Sequence, residues 1–145
     1  MSEQPTVDAA VRDARRETVR AFWDHLHAHR FDELVPLLTE DVERIVLWYG
    51  GPDTRVGRDA YLEKLREIIP SFDEWHIDAG PVEVSDDAVH AYMRSHEIFV
   101  RGDRRREIDE LFEYTFAPDG RISRIDIFFK VDPAMAASVL ERYPL

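Results

Sequence analysis

Between Glu107 and Phe116 the chain alternates polar and apolar residues, and the alternation has one flaw. Successive side chains on a strand point to opposite faces. Ile108, Glu110, Phe112, Tyr114 and Phe116 therefore share one side, while Glu107, Asp109, Leu111, Glu113 and Thr115 share the other. The first face is apolar and aromatic except for the carboxylate of Glu110 in its middle. An ionised carboxylate is costly to bury alone, so it shifts its pKa, finds a donor or lines a wet cavity. Each outcome is a property of an acid/base site, which makes Glu110 the first candidate for chemistry.

The rest of the chain reads as helices followed by strands. After a flexible tail over 1–6, Val11, Val19, Phe22, Trp23 and Leu26 recur at helical spacing and predict a helix over 7–29. A second short helix is expected over 31–38 despite Pro36, then a β-branched and aromatic strand over 42–49 that Gly50-Gly51-Pro52 ends. Helical periodicity returns over 57–70, and strands follow near 74–84, 88–100, 105–116 and 122–131. Their breaks are Gly80-Pro81, Asp86-Asp87, Gly102-Asp103 and Pro118-Asp119-Gly120, and a C-terminal helix begins at Pro133. Helices first and a meander after is the α+β pattern. A length of 145 residues suits one domain over 1–145.

Strand register decides what meets Glu110. Gly102-Asp103 suits a two-residue turn with glycine first, which pairs Phe99 with Arg106, Glu97 with Ile108, Ser95 with Glu110 and Met93 with Phe112. Glu97 and Glu110 then become diagonal neighbours on one face, roughly 5–8 Å apart. Two carboxyls that close push their pKa values apart, so that one serves as acid and the other as base. A three-residue turn slips the pairing by one and flips the strand. Tyr92, Arg94 and His96 then face inward, and Arg94 or His96 becomes the partner of Glu110. On the next hairpin, a four-residue loop over 117–120 sets Ile125 beside Phe112 and Ile127 beside Glu110.

Composition excludes several functions. Without cysteine there is no disulfide, thiolate metal site or cysteine nucleophile. A net charge of −11 argues against a nucleic-acid partner, and the basic run Arg101–Arg106 reads as a solvated hairpin tip. His25 and His29 have a spacing that can chelate a metal on a helix, but no third ligand is evident. There is no Walker-type glycine loop, and no serine sits in a nucleophile-elbow context. No run approaches the roughly 20 apolar residues of a membrane span, and the first residues lack a signal-peptide core. The expected location is the cytoplasm, with no membrane partner.

The stretches VRAFWDHLHAHRFDELVPLLTEDV, GRDAYLEKL and FEYTFAPDGRISRIDIFF resemble the SnoaL-like and ketosteroid-isomerase-like branch of the nuclear-transport-factor-2-like superfamily. The likeness runs from about Val11 to Val131. It implies a cone-shaped, curved antiparallel sheet wrapped around N-terminal helices, with an internal apolar pocket and a homodimeric assembly. Members include isomerases, dehydratases, cyclases and epoxide hydrolases. Ketosteroid isomerases use a helix-one tyrosine, a first-strand aspartate base and a protonated aspartate. Aligned positions here hold Phe22, Val46 and Phe112, so steroid isomerisation by those groups is not expected.

The resemblance therefore implies a cofactor-independent acid/base enzyme on an apolar small molecule, without a metal: an isomerase, cyclase, dehydratase or epoxide hydrolase. Glu110 is the expected acid or base. Glu97, or His96 and Arg94 in the slipped register, is its partner. Phe22, Trp48, Met93, Phe112, Tyr114, Ile125, Ile127 and Phe129 are the expected pocket walls. The alternative is a non-catalytic ligand-binding or dimerisation module.

Overall fold

The structure, a computed structural model, describes residues 7–46 and 50–142. The expected tail over 1–6 and the end of the expected first strand, 47–49, lie outside them. Helix α1 spans Ala9–His27, and the Asp8 carboxylate caps it by accepting the Ala10 N–H at 3.0 Å. Its buried stripe is Val19, Phe22, Trp23 and Leu26. Burying an apolar side chain of this size contributes about 1.5–3 kcal/mol, so this stripe seats the helix on the sheet. The helix ends before His29, whose φ of 55° is left-handed. His25 and His29 therefore do not stack on one helical face, and His25 Nδ1 accepts from Arg30 Nε at 3.1 Å instead.

The expected second short helix forms as a 3₁₀ helix over Phe31–Leu37; Pro36 within it has no N–H for an α-helical bond. Strand β1 covers Leu38–Val46, starting earlier than its apolar run suggests, and a two-residue strand β2, Arg55–Val56, pairs with it. Helix α2 spans Arg58–Ile68 and gives way to a 3₁₀ turn at Pro70. Then come β3 (Glu74–Val84), β4 (His90–Arg101), β5 (Arg104–Phe116), β6 (Ile122–Phe129) and helix α3 (Pro133–Arg142).

These strands form one curved open sheet in the order β2-β1-β6-β5-β4-β3. The sheet is mixed, because β1 runs parallel to β6 while the other neighbours are antiparallel. The antiparallel expectation fails at this one pairing, which the four-strand meander makes when it returns β6 to the flank of β1. In β3 the Gly80-Pro81 break is a bulge between Ala79 and Val82. A Cβ at Gly80 would lie 2.8 Å from the Arg94 carbonyl oxygen, so only glycine allows that approach.

Across β4 and β5 the two-residue-turn register holds, with Gly102 at a φ of 60° and Ser95 opposite Glu110. The slipped register with Arg94 and His96 inward does not form. The β5–β6 hairpin departs from expectation by two residues, placing Phe112 opposite Ile127 and Glu110 opposite Phe129. Its loop is shorter than expected, since Ala117 N–H bonds to the Arg121 carbonyl at 2.8 Å, and an irregularity follows between Thr115 and Phe116. A slip of two preserves the faces, so Ile125, Ile127 and Phe129 still share the side of Glu110.

Helices α1 and α2 cover that inner face. Tyr61, Leu62 and Leu65 of α2 join the α1 stripe against Ala91, Met93, Phe112, Tyr114 and Ile125. Within this core the Trp23 indole N–H donates to the Tyr114 hydroxyl at 2.8 Å, so both buried polar groups are satisfied. Among the described residues, no helix is long and apolar enough to cross a membrane.

Candidate active site

The core does not close completely at the hairpin end of the sheet. A cavity of about 200 Å³ lies between α1, α2 and the inner face. Its walls are mostly apolar, from Trp23, Leu26, Leu65, Ile68, Phe72 and Phe99, with Phe112, Ile127 and Phe129 on the sheet side. Into this apolar lining project Arg44, Tyr61, Trp75, Glu97 and Glu110.

Glu97 and Glu110 owe their meeting to the β4–β5 register. Glu97 is opposite Ile108 and Glu110 is opposite Ser95, which makes the two carboxyls diagonal neighbours on the inner face. The Trp75 indole N–H, reaching over from β3, donates to Glu97 Oε1 at 2.6 Å. Ser95 Oγ approaches Glu110 Oε2 at 3.5 Å, a weak contact at best.

Both acids are harder to ionise than in water. Burial, the nearby Glu97 charge and the hydrogen bond to Glu97 push Glu110 up to about 9, opposed by Arg44 and Ser95. Burial also raises Glu97, but the hydrogen bond from Glu110, the Trp75 N–H and the Arg44 charge oppose it. Trp75 and Arg44 favour the negative charge on Glu97, and the higher pKa of Glu110 favours the shared proton there.

Arg44 comes from β1, two residues before Val46. Its guanidinium lies 5.9 Å from the Tyr61 ring centre, and Nη1 donates to the Asp53 carbonyl at 3.3 Å. Among the described residues it is the cation lining the cavity, and the sequence reading passed over it. The signal was present: Val42, Arg44 and Val46 alternate onto one face, the same pattern of one charge in an apolar row that singled out Glu110. Trp75 and Tyr61 were also missed. The Tyr61 hydroxyl is raised by burial, with Arg44 opposing.

The expected wall residues divide. Phe112, Ile127 and Phe129 line the cavity, whereas Phe22, Met93, Tyr114 and Ile125 are packed behind it in the core. Trp48 lies outside the described residues. Arg94 and His96 stand on the opposite face of the sheet, a correction to the slipped register. There His96 bonds Asp109 at 2.8 Å and Glu107 at 3.2 Å, and those two hydrogen bonds raise its pKa. A wider groove of about 600 Å³ runs along that outer face between Arg94, His96, Asp109, Leu111, Phe128 and Lys130. Glu110 and Ser95 border this groove as well, but Glu97, Trp75 and Arg44 line the smaller cavity alone of the two. The two carboxyls meet in the smaller cavity.

Among the described residues, no cluster of His, Cys, Asp or Glu is arranged to hold a metal.

The sequence model of the SnoaL-like domain matches residues 19–125, most of the chain and both strands of the carboxyl pair. The chain belongs to the SnoaL-like domain family. No protein of curated function matches its sequence significantly. Solved structures share the SnoaL-like fold at low identity. An LEH-like epoxide hydrolase from Mycobacterium tuberculosis is 16% identical, with 90% of this chain and 92% of that one covered and a TM-score of 0.72. SalBIII, an epoxide hydrolase/cyclase-like enzyme of pyran ring formation in salinomycin, is 20% identical over 82% of this chain and 92% of that one, at a TM-score of 0.69. A second M. tuberculosis protein, solved with estradiol-17beta-hemisuccinate, is 15% identical over 82% and 95%, at a TM-score of 0.70. Each is a likeness of fold.

Proposed function

We propose that this SnoaL-like protein is an acid/base enzyme that opens an epoxide in a small apolar molecule, with Glu110 as the acid and Glu97 as the base. One observation carries this reading. A carboxyl whose pKa is pushed up to about 9 is hydrogen-bonded to a second carboxyl that also accepts from Trp75, inside an apolar cavity. Pairs of carboxyls whose environments separate their pKa values divide the acid and base roles between them. Epoxide opening uses both roles in one step. The epoxide hydrolase and the epoxide hydrolase/cyclase-like enzyme of the same fold support that choice.

The step balances within the pair. The oxygen–hydrogen bond of Glu110 breaks as its proton passes to the ring oxygen and a ring carbon–oxygen bond opens. A water, or a hydroxyl of the same molecule, attacks that carbon and gives its proton to Glu97. The product is a diol from water or a cyclic ether from the internal hydroxyl. Glu97 is left protonated and Glu110 ionised, and their direct hydrogen bond returns the proton to Glu110. These residues complete the cycle by themselves.

A cavity of about 200 Å³ is smaller than the ~300–1,000 Å³ of typical ligand clefts, so the reacting part of the substrate is compact. Tyr92, Leu111 and Phe128 are 38%, 38% and 51% exposed on the outer sheet face, and that face is where a homodimer would form.

The test is turnover of a panel of apolar epoxides, with and without an internal hydroxyl, by the wild-type protein and by Glu110→Gln and Glu97→Gln. Consumption that both substitutions abolish while folding is retained supports the reading. Binding without consumption by the wild type points to a ligand-holding module instead.

A further inference from the structure

The arginine-rich tip of the β4–β5 hairpin takes no part in the carboxyl pair, yet the register turns much of it toward the same cavity. Arg101 pairs with Arg104 and Phe99 with Arg106, so Arg101, Arg104 and Arg106 stand on the face that carries Glu97, Ile108 and Glu110. Phe99 and Ile108 are cavity walls, as is Phe72. The Arg101 guanidinium lies 4.6 Å over the Phe72 ring and donates to Ser71 Oγ at 2.6 Å. A cation is thus fixed at the cavity rim.

The other arginine of the tip behaves differently. Arg105, on the outer face, sits 3.9 Å from Glu74 and 3.6 Å from Glu107. Among the described residues, Arg104 and Arg106 have no comparable carboxylate partner. Asp73, beside the hairpin tip, is engaged by the Gly102 N–H at 2.6 Å, and Asp103 lies in the turn. Like charges set directly opposite each other destabilise a strand pair, and Arg101 opposite Arg104 is such a pair. An anion bound between them removes that cost. In a chain of net charge −11, a cationic rim is also what draws an anionic ligand to this end of the molecule.

We propose that this rim is a subsite for the anionic group, a carboxylate or phosphate, of an amphipathic ligand whose apolar part enters the cavity. The proposal rests on the cavity being the ligand site of the function proposed above. At about 3.3 Å per strand residue, the step from Glu110 to Arg106 is about 13 Å. That distance is roughly ten carbons of extended chain at about 1.3 Å each, so the ligand carries its charge about that far from the reacting atoms.

Calorimetric titration of the full chain with decanoate, decyl phosphate and decanol tests this without any turnover. At least one anion should bind roughly tenfold or more tightly than decanol, and the gap should shrink near 1 M salt. A preference between the two anions identifies the headgroup. The exposed double substitution Arg104→Gln with Arg106→Gln should remove the anion preference and leave decanol affinity unchanged. Equal affinity for anions and alcohol, or a preference that survives the double substitution, overturns the subsite alone. Failure of all three to bind overturns the subsite and the cavity reading together.

Discussion

The Trp75 indole N–H donates to Glu97 at 2.6 Å across the β3–β4 boundary, and this bond helps place the negative charge of the carboxyl pair on Glu97. A hydrogen bond to a charged group contributes about 1.5–3 kcal/mol. Trp75→Phe keeps the aromatic wall and removes the donor, so it should raise the Glu97 pKa further. The acidic limb of the pH–activity profile then moves to higher pH while the alkaline limb, set by Glu110, stays in place. An unmoved acidic limb would show that Glu97 is not the base.

Glu110 makes the fold itself sensitive to pH. Its pKa in the folded protein, about 9, stands above its ordinary value of 4.5, so between those values the native state holds a proton that the unfolded chain has released. Stability from this group is complete below pH 4.5 and is lost as pH rises toward 9, by at most about 1.4 kcal/mol per pH unit. Glu110→Gln supplies a neutral donor in the same place. Urea unfolding should show the variant more stable than wild type at pH 9, with the two converging near pH 4.5. Parallel stability curves for the two proteins would contradict a buried, protonated Glu110. Turnover by the variant should fall by at least the ~100-fold typical of losing a general acid.

Arg44 acts on both carboxyls at once, since its charge opposes the rise of each. Arg44→Met removes that charge while keeping an unbranched side chain of similar reach. Both pKa values then rise, so the acidic and alkaline limbs of the activity profile should move upward together. This pattern separates Arg44 from Trp75, whose loss moves one limb. If neither limb responds, Arg44 does not act on the pair.

What the sequence made legible was set by local chemistry. The alternation over 107–116 exposed Glu110, and the glycine-first turn at Gly102-Asp103 offered the register that brings Glu97 to it, beside a slipped one that the structure does not adopt. The parallel β1–β6 pairing was out of reach because it joins strands separated by about half the chain, with no turn between them to set a register. The β5–β6 slip came from a hairpin irregularity that the Pro118-Asp119-Gly120 motif does not announce. Arg44 was visible in principle, as a charge on an apolar strand face. Trp75 was not, because nothing in a lone tryptophan says that its N–H reaches a carboxylate on the neighbouring strand.

Tyr114 provides the control that divides fold from chemistry. It shares the strand face of Glu110 and was an expected pocket wall, yet it is fully buried and its hydroxyl accepts from Trp23 at 2.8 Å. Tyr114→Phe leaves the Trp23 N–H without a partner in the core, which costs about 1–3 kcal/mol. The denaturation midpoint should fall accordingly, while the pH limbs stay where the carboxyl pair sets them. A shift of either limb would mean that Tyr114 communicates with the carboxyls directly. In that case the acid/base network would extend through the core to α1.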